Sequence, residues 1–175
     1  GNSLDGSIPS QLGRMTEMTR HLFLSSNRLC GAIPTEVSAL STSPSADPTS
    51  WEVDEGNFVG PTPCAATSAL VALYEATGGG SWVSRSGWKG STSGPGDPCT
   101  SAWYGVTCDS GEVTVLNMAV NSLLGVLPTE LGDLTSMKEG GWHTDNDVYV
   151  SLFRSNSLAG SLPSGSLYLC SLASA

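Results

Sequence analysis

Residues 121–128 read NSLLGVLP, and the same frame appears at 2–9 (NSLDGSIP), 27–34 (NRLCGAIP) and 156–163 (NSLAGSLP). Each copy holds Asn, then Leu two positions on (Leu4, Leu29, Leu123, Leu158), Gly at four (Gly6, Gly31, Gly125, Gly160), an aliphatic residue at six and Pro at seven. Such agreement marks an internal repeat, and a repeat that cannot bury its own apolar positions must stack on its neighbours. Gly permits a bend that a Cβ would oppose, and Pro, lacking an N–H, suits a segment outside any sheet ladder.

The frame resembles the plant-type leucine-rich repeat, L-x-x-L-x-L-x-x-N-x-L-x-G-x-I-P-x-x-L-G-x-L. It continues downstream as SQLGRM (10–15), TEVSAL (35–40) and TELGDL (129–134). The resemblance implies an α/β solenoid of short parallel strands, with the leucines turned inward and Asn2, Asn27, Asn121 and Asn156 stacked as a ladder that bonds backbone groups. The family also places apolar residues three, five and eight positions before each Asn, on the strand of the concave face. Asn121 has Met118, Leu116 and Val113; Asn27 has Leu24 and Leu22 but Thr19, with Met18 beside it; Asn156 has Phe153 and Val148 around Ser151. Asn2 and Asn27 lie 25 residues apart, within the roughly 20–29 of such repeats. Asn121 and Asn156 lie 35 apart, so residues 139–150 are expected to bulge as an inserted loop.

Between the repeat pairs the chain changes character. Residues 41–63 are rich in Ser, Thr and Pro around an acidic cluster (Glu52, Asp54, Glu55) and suggest a linker or extended wrap. Leu70, Leu73 and Tyr74, with Ala66, Ala69 and Ala76 around them and Gly78–Gly80 after, predict a helix over 67–76. Trp82, Trp88 and Trp103 then supply large rings for a core in a Gly/Ser-rich stretch. CTSAWYGVTCD (99–109) resembles the N-terminal cap of plant-type leucine-rich-repeat proteins, which implies a Cys99–Cys108 bridge. Some members add an earlier cysteine; Cys64 is placed like it, although the usual partner beside Cys99 is missing. The expected organisation is therefore repeats (1–40), linker (41–63), cap (64–112) and repeats (113–175), a permuted order, because in the family the cap comes first.

Five cysteines allow two bridges and leave one over. The pairing of Cys30, Cys64 and Cys170 stays open: Cys30 with Cys64 would staple the linker to the last coil, and Cys170 would be buried or cross a junction. A chain that starts in mid-repeat is either a piece of something longer or a unit completed by another copy. If one copy's end meets the next copy's start, Leu169 and Leu172 fall on strand positions before Asn2. The junction would then comprise Gly1, Asn2, Leu4, Leu169, Leu172 and Ala175.

Seven basic against 16 acidic residues give a net charge of −9, which disfavours nucleic acid and anionic membrane surfaces as partners. No apolar run approaches the ~20 residues of a membrane span, so no membrane insertion is expected. The two histidines, His21 and His143, lack metal-ligand spacing, and Asp145, Asn146 and Asp147 lack the rest of a calcium loop. No nucleophile, base and orienter set is evident, so neither enzyme activity nor a cofactor is expected. N-linked sequons are absent, and O-linked sugars are expected on Ser41, Thr42, Ser43, Pro44, Ser45, Thr49, Ser50 and Thr62. Taken together, an extracellular scaffold repeating head to tail with further copies is the first expectation. The alternative is a ligand-binding ectodomain gripping a peptide or glycan with His21, Phe23 and Tyr149, beside strand positions such as Thr114 and Asn117.

Overall fold

The computed structural model describes residues 2–17, 22–41, 51–53, 55–88, 96–137, 150–151 and 156–159. Among them run ten short strands: β1 (Asp5–Ser7), β2 (Leu22–Phe23), β3 (Arg28–Gly31), β4 (Trp51–Glu52), β5 (Phe58–Val59), β6 (Val106–Asp109), β7 (Glu112–Asn117), β8 (Leu124–Val126), β9 (Val150–Ser151) and β10 (Ser157–Ala159). Two α-helices accompany them, α1 (Thr35–Ser41) and α2 (Cys64–Ala76). The strands form four small sheets, ordered β1-β3-β5, β2-β4, β6-β7-β9 and β8-β10.

The repeats at Asn27, Asn121 and Asn156 therefore each contribute two strands rather than one. The strand before the Asn is the expected one. The residues after it, read from the sequence as a bend, also pair in parallel, β1 with β3, β3 with β5 and β8 with β10. Pro9, Pro34 and Pro128 stand just outside these ladders and start the next turn. Their fixed φ and missing N–H suit the position just before the 3-10 turns at Ser10–Arg14 and Thr129–Asp133 and before α1.

The second half of the expected linker is a coil of the fold. β4 pairs with β2 and β5 with β3, so residues 51–59 lie on the preceding repeat as a third layer. The apolar residues Val53 and Phe58 drive this, because both are buried.

Period-two alternation then joins two cores. On β3, Leu29 and Cys30 point to opposite sides, and both are buried, 5% and 4% exposed. Leu29 packs with Ile8, Leu22, Val37 and Val53. Cys30 and Phe58 instead enter the larger core of α2, the tryptophans and the following repeat, which holds Leu70, Leu73, Trp103, Leu116 and Leu123. α2 begins at Cys64, directly after Pro63, and buries Ala66, Ala69, Leu70 and Leu73 along one stripe. The rings interlock: Trp82 meets Trp88 edge-on at 5.0 Å, Trp88 lies 4.9 Å from Trp103, and Trp103 reaches Phe58 of the third layer at 6.0 Å.

Asp97 closes the joint. It is 1% exposed, and its carboxylate accepts hydrogen bonds from the N–H groups of Thr62 (2.8 Å), Cys99 (2.9 Å) and Thr100 (3.1 Å). Gly60 lies so close that a Cβ there would come within 2.3 Å of the Asp97 side chain, which those three bonds prevent from moving aside. Gly60→Ala is expected to cost about 1–3 kcal/mol through overpacking, read as a lower denaturant midpoint.

Candidate functional site

The asparagine amides decide which side chains remain outside. Asn27 Oδ1 accepts from Leu4 N–H (3.1 Å), while its Nδ2 donates to Leu24 O (2.9 Å) and Ser25 O (3.2 Å). Asn156 Oδ1 accepts from Asn121 N–H (3.0 Å) and Leu123 N–H (3.1 Å), and its Nδ2 donates to Met118 O (2.8 Å). Asn121 reaches back to the segment after α2, where Ser84 supplies both the N–H (2.6 Å) and the carbonyl (2.9 Å). Asn2 is exposed, in the outermost layer. A further rung escaped the repeat pattern. Asn57 Oδ1 accepts from Leu29 N–H (3.1 Å), and its Nδ2 donates to Leu24 O and Val53 O, both at 2.8 Å.

With the turns fixed, β2 presents one side chain to solvent. On β2 the buried Leu22 is followed by Phe23, which is 55% exposed and sits opposite Glu52 in the β2–β4 register. Ser25 Oγ donates to Glu52 Oε2 at 3.0 Å and fixes that carboxylate. On β7, Val115 and Asn117 are half-buried. Thr114 departs from expectation: the β6–β7 register shifts at Thr107/Cys108, so Thr114 is the extra residue of a bulge. It is buried, and its hydroxyl donates to Thr107 O at 3.3 Å. The bulge also explains why Val113 and Leu116, three apart, both reach the core.

The remaining candidates divide clearly. Cys99 and Cys108 are bridged, as are Cys30 and Cys64. His21, Tyr149, Thr42, Ser43, Pro44, Ser45, Thr49, Ser50, Gly1, Leu169, Leu172, Ala175 and Cys170 lie outside the described residues. Leu4 is half-exposed in the outer layer and Ser41 ends α1. Thr62 is corrected as a glycan site: it is fully buried at the joint, where no transferase or sugar has access. Among the described residues, no helix is long and apolar enough to cross a membrane.

Comparisons with known proteins agree with this geometry. Residues 18–40 match the Leucine Rich Repeat family. Over 140 residues, 78% of this chain, the sequence is 29% identical to the receptor protein kinase WSS1 of Oryza sativa subsp. japonica. The match spans 14% of that protein's length. With the repeated Asn-x-Leu-x-Gly frame and the amide rungs that join its layers, these matches support a leucine-rich-repeat protein.

Proposed function

We propose that the chain is a non-enzymatic interaction module, displayed outside the cell, that binds a protein or peptide partner on its concave strands. In this reading its two blocks of repeats belong to a solenoid with the cap in mid-chain. The observation that carries the proposal is Phe23: an aromatic ring more than half exposed on a strand whose neighbour Leu22 is buried, with Glu52 opposite it in the β2–β4 register. Rigid exposed aromatics flanked by polar groups are the usual anchors of an interface. The similarity to part of a receptor kinase supports a binding role, and two disulfides suit an oxidising compartment. The head-to-tail scaffold turns on Gly1, Leu169, Leu172 and Ala175, which lie outside the described residues, so the weight falls on binding.

Selection from a displayed peptide library against the intact chain tests this. Enriched peptides should lose at least about tenfold in affinity to Phe23→Ala, the scale of a hot-spot residue. The stability of that variant should stay within about 0.5 kcal/mol of the parent, as for a surface change. Peptides that bind both proteins equally would overturn the proposal.

A further inference from the structure

Where sheet β1-β3-β5 meets α2, the two cores do not close completely. A groove of about 470 Å³ remains between the sheet and α2. Phe58 and Val71 supply its buried apolar part. Its rim is charged and comes from four elements: Asp5 of β1, Arg28 of β3, Glu75 of α2 and Glu130 in the 3-10 turn after Pro128. Asp5 and Arg28 stand opposite each other in the β1–β3 register. The rim therefore sets three carboxylates against one guanidinium on a chain that already carries −9.

We infer that this groove is a second binding site, one that takes a lysine or arginine side chain projecting from a partner protein. A buried apolar part beside an acidic rim matches the two halves of such a side chain. The aliphatic stem lies along apolar surface and the cationic head stays at the polar edge. The volume falls within the range of ligand sites and exceeds what one stem needs, so flanking backbone enters as well. A bound metal ion fits less well, because among the described residues no three acidic, histidine or cysteine groups converge closely enough to hold one. One more feature points into the same place. Thr67 lines the groove, and its hydroxyl is buried without a hydrogen-bond partner, a polar group that the fold alone leaves unsatisfied.

The site stands independently of the concave face and is tested separately. The intact chain is titrated with the capped peptide Gly-Arg-Gly while backbone amide resonances are followed, with Gly-citrulline-Gly as the uncharged isostere. Saturable shifts at Arg28, Thr67, Ser68 and Ala72 are expected with the arginine peptide alone. The double variant Asp5→Asn/Glu130→Gln changes two exposed side chains and should weaken them at least fivefold, whereas Phe23→Ala should leave them unchanged. Equal shifts with the citrulline peptide, shifts elsewhere only, or binding that survives the double variant would each overturn the inference.

Discussion

Replacing Asn57 by alanine is expected to destabilise the protein by about 3–5 kcal/mol, although Asn57 belongs to no recognisable copy of the repeat. Its amide is fully buried and joins two layers through three hydrogen bonds, to Leu29 N–H, Leu24 O and Val53 O. Truncation takes this partner from Leu29 N–H and Val53 O where water does not reach, at about 1–3 kcal/mol for each orphan, while Leu24 O keeps the Asn27 amide. Asn57→Leu restores volume but no partner and should be no better. Asn57→Asp keeps the acceptor, loses both donations and brings a carboxylate beside two carbonyls, so it should be as damaging. Asn2→Ala is the control, since Asn2 is exposed in the outermost layer. Urea unfolding followed by tryptophan fluorescence gives the comparison. A cost for Asn57→Ala below about 1 kcal/mol would mean that the amide rungs do not hold the layers together.

Why Asn57 was hidden shows how far a sequence of this kind can be read. The repeat frame was legible because Leu29, Leu123, Gly31 and Gly125 recur at fixed spacing, and the Cys99–Cys108 bridge because the two cysteines stand in a distinctive run with Trp103. Residues 51–59 obey the same physics with other residues. Four positions separate Val53 from Asn57, against three between Leu24 and Asn27. Gly56 absorbs the extra residue with a left-handed φ of +72°, close against Ser26. Phe58 and Val59 then replace the leucine frame, so a coil that pairs in register looks like a polar linker by composition. Thr114 shows the same limit at smaller scale: a bulge turns one residue inward that simple alternation places outward. The sharing of β3 between two cores was legible only as an unexplained cysteine, since Cys30 follows Leu29 and nothing local says that both are buried. The exposed ring of Phe23 was within reach, because it follows the inward Leu22 on a strand. The groove behind β3 was not, because its rim is assembled from residues as far apart as Asp5 and Glu130.

The second large effect is expected from the double variant Cys30→Ala/Cys64→Ala, which removes the bridge between the two cores without leaving a lone thiol. The bridge spans 34 positions, against nine for Cys99–Cys108. On loop entropy alone its loss costs about 4 kcal/mol and that of the shorter bridge about 2.7 kcal/mol. The longer bridge also does something the shorter one does not. Cys99–Cys108 lies within the larger core's own segment, whereas Cys30 and Cys64 tie β3 to the start of α2. Without that tie, the N-terminal core of Ile8, Leu22, Leu29, Val37 and Val53 is joined to the larger one by the Phe58–Trp103 contact, the hydrogen bonds of Asp97 and the Gly96 N–H bond to the Asn57 carbonyl. A core that small is marginal by itself, since little apolar surface offsets the entropy of ordering its coils. The double variant should therefore lose cooperativity as well as stability. Native-state hydrogen exchange is expected to show faster opening at Leu29 and Cys30→Ala in β3, while Leu70 and Leu73 in α2 keep most of their protection. A uniform loss across both sets would instead mean that the two cores unfold as one unit, with the bridge acting only on the unfolded chain.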